Sequence, residues 1–219
     1  MNAAQSKGSI MVFARAPIPG KTKTRLIPAL GEKAAAHLHA SLIEQTLCRV
    51  QNIDEVNITL WCTPSTEDPF FLSCTERYQI ALQTQQGHDL GARMQHAFET
   101  TLRSASWAII IGTDCPNLQT SNIQQAIDAM HNGFDAVAGP AFDGGYYLLG
   151  LRRTSASLFR EMPWGTADVW AMTRDRLEQL GWSNTTTTWQ HDLDRPEDLE
   201  HFQNLPDFLH NTHKQHEKQ

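Results

Sequence analysis

The 219-residue chain has no long hydrophobic run. Its longest apolar stretches, such as Trp107–Gly112, fall far short of the ~20 residues a membrane-spanning helix needs. The amino end, Met1–Gly8, has one Lys and no long apolar core behind it, so it does not read as an export signal. These two absences predict a cytoplasmic protein with no membrane partner. Cations are also scarce: 18 Lys plus Arg against 24 Asp plus Glu leave a net charge of -6. Duplex nucleic acid demands a basic face, so it is not expected as a partner. The four cysteines, Cys48, Cys62, Cys74 and Cys115, form no C-x-x-C pair and no zinc spacing, and they read as reduced thiols. Charged residues make up 19% against 40% hydrophobic, which is globular composition and excludes overall disorder. His210, His213 and His216 lie in a polar tail without apolar period, which reads as a frayed terminus rather than a metal site.

The rest of the chain alternates strand-like and helix-like stretches. Strands are predicted at Ser9–Ala14, Glu55–Cys62, Trp107–Gly112, Asp135–Gly139, Tyr146–Leu151 and the β-branched Thr185–Trp189. Helices are predicted at Glu32–Gln51, Asp89–Arg103, Ser121–Met130 and Asp168–Leu180, with a short one at Arg195–Phe202 opened by Pro196 and two acids. Repeated strand-then-helix order predicts a mostly parallel sheet with helices on both faces. One domain is expected over residues 9–205, between a flexible segment at 1–8 and a tail at 206–219. In such folds ligands sit beyond the carboxyl ends of the strands.

Three polar loops follow predicted strands. The first, Arg15–Arg25, holds four cations (Arg15, Lys21, Lys23 and Arg25) and no acid in eleven residues. Local positive charge at a strand end of an acidic protein suits a phosphate-bearing ligand; a solvated basic turn is the plainer alternative. Gly20-Lys21-Thr22 ends like a P-loop, but that motif needs another Gly five residues earlier, where Arg15 stands. The second loop, Gly112–Pro116, places Asp114 after the most apolar strand. That carboxylate is either a turn residue or a seat for a hard cation such as Mg²⁺, which relieves the cost of burying an unpaired charge. The third, Gly139–Tyr147, contains Asp143-Gly144-Gly145, by itself a hairpin-turn signal. A fourth piece, Asp192–Leu199, packs four acids into eight residues. Glu197 and Asp198 suit a helix start, while Asp192 and Asp194 alternate and would share one side of an extended segment. One of them could join Asp114 around the same ion.

Taken in order, F-A-R-A-P-I-P-G-K-T-K-T-R-L, I-G-T-D-C-P, G-P-A-F-D-G-G-Y-Y-L-L-G-L and P-W-G-T resemble one family. It is a family of small bacterial transferases once catalogued as a domain of unknown function and labelled as glycosyltransferases. It is similar to the molybdenum-cofactor guanylyltransferase-like group. The resemblance runs from about Ile10 to Phe202 and implies a GT-A-type nucleotide-diphospho-sugar transferase fold of α/β class. It implies a nucleotide sugar or nucleoside triphosphate as partner, a small-molecule acceptor, and Mg²⁺ or Mn²⁺ as cofactor.

By motif position, Arg15, Gly20, Lys23 and Arg25 would bind phosphates, and Asp114, Asp192 and Asp194 would hold the metal. Asp143 and Lys23 would be catalytic, with Asp143 contacting or deprotonating an acceptor hydroxyl. Gly144, Gly145, Trp164 and Thr166 would border the acceptor. Gln86–Gly91 also matches a family loop, but Ala92 stands where an acid is expected, so this loop is not assigned to the metal. Sugar transferases of this fold usually carry D-x-D after the central strand. Here Thr113-Asp114-Cys115 has a single acid, which leans towards nucleotidyl transfer. Asp143 leans the other way, because a carboxylate repels an attacking phosphate and suits a hydroxyl. The favoured expectation is glycosyl transfer. Nucleotidyl transfer from a nucleoside triphosphate to a phosphorylated acceptor is the first alternative, and non-catalytic nucleotide binding the second.

Overall fold

The computed structural model describes residues 8–202; the tail histidines His210, His213 and His216 lie outside them. Seven strands form one sheet: β1 (Gly8–Arg15), β2 (Val56–Thr63), β3 (Ala81–Thr84), β4 (Ala108–Ile111), β5 (Ala136–Pro140), β6 (Tyr146–Leu151) and β7 (Asn184–Thr186). Their spatial order is β3-β2-β1-β4-β6-β5-β7. Every pairing is parallel except those of β6, which runs antiparallel to both β4 and β5.

β1 is a continuous apolar run because both its faces are covered. Ile10, Val12 and Ala14 enter one core, Met11 and Phe13 the other. The first core lies under α1 (Glu32–Val50), α2 (Pro69–Tyr78) and α4 (Thr120–His131). The second lies under α3 (Leu90–Thr101) and α5 (Val169–Gln179). A third, smaller cluster joins Leu26, Ala35, Leu38, Leu42, Leu193 and Phe202. It pins the loop after β1 to the segment that follows β7, and so helps to build the site. No helix among the described residues is long and apolar enough to cross a membrane.

The sequence reading missed α2 and β3. Asp68 caps α2 by accepting from the Phe70 N–H at 3.0 Å, with Pro69 at the first position, a start signal readable in hindsight. β3 is an edge strand of four alternately exposed residues and carries no hydrophobic signal. Gly8, expected in the terminal segment, is the buried first residue of β1, and a Cβ there would stand 2.0 Å from the Trp107 ring. The strand expected at Thr185–Trp189 pairs only over Asn184–Thr186. Its partner β5 ends at Pro140, which has no N–H to continue a ladder. The Thr187 N–H still donates to the Ala138 carbonyl at 2.8 Å, and beyond it the Thr187 hydroxyl and the Thr188 carbonyl meet the Tyr147 hydroxyl. The expected last helix is a 3₁₀ helix, Pro196–His201.

Candidate functional site

After β1 the chain crosses to β2 on one side, and after β3 it returns to place β4 on the other. A crevice therefore opens beyond the carboxyl ends of β1 and β4. The loop after β1 and the loop after β4 form its walls. Because β6 is antiparallel, the 141–145 turn that precedes it comes to the same rim. An isolated bridge between Ala141 and Gln190 brings the last segment there too, and the Leu193 N–H donates to the Asp114 carbonyl at 2.8 Å. All four sequence-predicted pieces thus meet. They surround a cleft of about 330 Å³ whose lining includes Arg25, Asp114, Asp143, Asp192, Asp194 and Trp164.

The loop after β1 is tightly internal. The Thr22 hydroxyl donates to the Ala16 carbonyl at 2.8 Å and accepts from the Ile18 N–H at 3.2 Å. Gly20 takes a positive φ of 77°, beside the Glu32 carboxylate. Of the four cations, Arg15 and Lys21 are exposed and do not line the cleft. Lys23 turns inward, with its side chain only 3% exposed and its ammonium 2.7 Å from Asp114 Oδ1. It also donates to the Leu193 carbonyl at 2.5 Å. Arg25 donates to Asp194 Oδ2 at 2.5 Å from the cleft wall.

Asp114 therefore does not stand as the unpaired charge expected from its place after β4. Its Oδ1 is buried against Lys23, while half of the side chain is exposed, so the other oxygen opens to the cleft. Burial pushes this carboxyl up, but Lys23, and after it His39, outweigh burial and bring it below its ordinary value. Asp192 is different. Burial, and next the neighbouring Asp143 charge, raise its carboxyl to about 6. Asp143 is exposed and accepts from the Gly145 N–H at 2.8 Å. Four carboxylates line the cleft, and the Lys23 and Arg25 cations that face them are already engaged. Negative charge is in surplus. Among the described residues, no group of three or more His, Cys, Asp and Glu side chains is placed to hold a metal ion by itself.

The remaining expected residues divide. Gly145, Trp164 and Thr166 line the cleft. The Thr166 hydroxyl donates to the Pro163 carbonyl at 2.9 Å. Trp164 packs edge-on to Tyr146, ring centroids 6.5 Å apart. Gly144 does not line the cleft; at φ 89° it lets its turn lie against Ala167, whose carbonyl oxygen would be 2.1 Å from a Cβ. Asp89, in the Gln86–Gly91 loop, caps α3 by accepting from the Ala92 N–H at 2.7 Å.

Sequence reasoning missed two features. One is the apolar wall of Phe13, Leu90, Met94, Ile110 and Val169. The other is His39, 5% exposed, whose Nε2–H donates to the Arg15 carbonyl at 3.0 Å and whose Nδ1 lies 3.9 Å from Asp114 Oδ1. Burial holds the His39 pKa down, with Asp114 opposing. A signal existed: His39 shares the i, i+3, i+4 face of α1 with Ala35, Leu38 and Leu42, where a polar residue is out of place.

Residues 46–166 match the family described as "Uncharacterized protein conserved in bacteria (DUF2064)". No curated protein matches the chain. Among solved structures, a proposed nucleotide-diphospho-sugar transferase from Desulfovibrio desulfuricans G20 is 30% identical, with a TM-score of 0.81, over 89% of this chain and 85% of that one. A CMP:2-keto-3-deoxy-manno-octonic acid synthetase complexed with CTP is 13% identical, with a TM-score of 0.58, over 92% of this chain and 99% of that one. Glucosyl-3-phosphoglycerate synthase from Mycobacterium tuberculosis, in complex with Mn²⁺, UDP and glucosyl-3-phosphoglycerate, is 11% identical. Its TM-score is 0.53, over 90% of this chain and 76% of that one. The fold is the GT-A-like fold of nucleotide-diphospho-sugar transferases.

Proposed function

The chain belongs to the DUF2064 family of bacterial proteins, and from that premise we propose that it is a metal-dependent glycosyltransferase moving a sugar from a nucleotide-sugar donor to a small hydroxyl acceptor. The observation that carries this reading is the surplus of negative charge in the cleft beside Arg25. A nucleoside diphosphate cannot enter such a site unless a cation accompanies it, and Mg²⁺ is held by one or two carboxylates completed by substrate phosphates. The residues fit such an ion: Asp114 offers its open oxygen, and Asp192 lies along the same cleft with its carboxyl raised to about 6. The M. tuberculosis neighbour binds Mn²⁺ with UDP, which supports the same pairing here. When bound, the ion supplies neutralisation of charge on the leaving diphosphate.

The chain's own residues do the rest. Arg25, with Nη1 on Asp194, keeps its remaining guanidinium donors for phosphate oxygens at the cleft wall. Asp143, one oxygen fixed by the Gly145 N–H, holds its other oxygen for an acceptor hydroxyl and takes its proton. The wall of Phe13, Leu90, Met94 and Trp164 excludes water from the transferring sugar. The Asp143 carboxylate, whose charge also raises the Asp192 carboxyl, disfavours an anionic acceptor, which supports a hydroxyl compound over a phosphate.

One observation favours nucleotidyl transfer. The Thr113-Asp114-Cys115 triplet has one acid where the D-x-D pattern has two, and Cys115 is buried with its thiol pushed far up, first by burial. Both readings are tested by incubating the protein with nucleotide sugars and nucleoside triphosphates, with Mg²⁺, Mn²⁺ or EDTA, and a metabolite extract as acceptor source. Release of a nucleoside diphosphate from a nucleotide sugar supports glycosyl transfer. Pyrophosphate from a triphosphate, with no reaction of any nucleotide sugar, supports the alternative. Nucleotide binding without either product leaves a non-catalytic binding protein.

A further inference from the structure

Lys23 occupies a seat lined by carboxylate and carbonyl oxygens. Its backbone is left-handed, at φ 49° and ψ 43°, which is uncommon for a residue with a long side chain. From there the ammonium reaches the Leu193 carbonyl at 2.5 Å, Asp114 Oδ1 at 2.7 Å and Asp194 Oδ1 at 3.9 Å. A fourth atom lies beside the Asp114 oxygen. His39 Nδ1 is buried, has no hydrogen-bond partner, and lies 3.9 Å from that Asp114 oxygen. With Nε2–H committed to the Arg15 carbonyl, Nδ1 presents a lone pair. Two carboxylate oxygens and a carbonyl therefore surround one compact charge, with an imidazole nitrogen beside the nearer carboxylate.

Resting on the reading of the cleft as a nucleotide site, we propose that Lys23 is a resident cation and a positioning residue. It holds the inner oxygens of Asp114 and Asp194, so that the cleft takes up one divalent ion rather than two, and only together with nucleotide phosphates. Arg25 holds the remaining Asp194 oxygen. Asp114 is left with one open oxygen, and even with Asp192 beside it the cleft offers too few ligands for an ion without the phosphates. The consequence for the substrate is that the donor enters as its metal complex.

The test is a Mn²⁺ titration of the full chain, reading free ion by electron paramagnetic resonance, alone and with UDP or CTP as probes. The expected result is no tight binding of Mn²⁺ by protein alone and one ion per chain with either nucleotide. Lys23→Met keeps the length of the side chain and removes its charge. It should bind Mn²⁺ without nucleotide, with affinity ~10–100-fold above wild type, the scale of changes made around metal ligands. Tight Mn²⁺ binding by the wild type alone, two ions per chain with nucleotide, or a Lys23→Met variant indistinguishable from wild type would each overturn the inference. If Lys23→Met does not fold, the wild-type stoichiometry decides alone. Calorimetry separates the two levels: absence of any UDP or CTP binding, with or without metal, removes the functional reading and this inference together. Nucleotide binding with two ions removes only the inference.

Discussion

Lys23 and Asp114 meet at 2.7 Å across the crevice between β1 and β4, and the lysine is much the more deeply buried of the two. Loss of the carboxylate therefore strands a buried ammonium, whereas an uncompensated carboxylate would be relieved by neutralisation. Asp114→Asn should lower stability by roughly 1–3 kcal/mol, the cost of leaving a buried polar group unsatisfied. Thermal unfolding without metal checks this, and a rise in Tm would contradict the pairing.

Arg25 lines the cleft, while Lys21 is exposed outside it. Arg25→Ala should weaken binding of UDP with Mn²⁺ by about 1.5–3 kcal/mol, the range for hydrogen bonds to charged groups. Lys21→Ala should leave it unchanged. Calorimetry showing the reverse order would move the phosphates out of the cleft.

Asp192 responds to pH. Its folded carboxyl titrates at about 6, above the model-peptide value of about 3.9. The folded chain takes up this proton before the unfolded one, so this group adds stability as pH falls from 7 towards 4. Asp192→Asn should raise the Tm of the metal-free protein at pH 7.5, and the gain should vanish near pH 4. An equal gain at both pH values would mean that the effect is not one of charge.

Two glycines with positive φ should behave differently. Gly31 (φ 81°, ψ 161°) has nothing within 4 Å of an added Cβ, so Gly31→Ala should cost only the strain of that glycine-favouring backbone, about 1–3 kcal/mol. Gly144→Ala adds a collision with the Ala167 carbonyl, in the segment that carries Trp164 and Thr166. It should lower Tm clearly more, and comparison of the two melting curves decides it.

Thiol labelling gives a fourth contrast. Cys48 is exposed; Cys62, Cys74 and Cys115 are buried, and burial pushes the Cys62 and Cys74 thiols up to about 12. At pH 8 one thiol per native chain should react with an aromatic disulfide reagent, and four after denaturation.

Much of this architecture was legible because burial on two faces writes long apolar strands and because loops at strand ends carry unusual charge. The strand at Tyr146–Leu151 was read to the residue. What the sequence hid was pairing. Four cations in eleven residues look alike on the page, yet packing of Leu26 against Leu193 turns Lys23 inward and leaves Lys21 in solvent. An acid surplus is equally invisible until the turn before β6 and the segment after β7 meet at one rim. His39 was hidden by its helix, whose alanines and leucines read as packing.

The Lys23–Leu193 hydrogen bond spans 170 positions. During synthesis the loop after β1 leaves the ribosome early, while its carbonyl partner is still to be translated. Asp114 becomes available to the ammonium first, and the Leu193 carbonyl completes its seat only later. The crevice between β1 and β4 can thus form as a sheet feature well before it has a floor. A nascent chain that stops short of Leu193 would carry the strands and lack the binding surface.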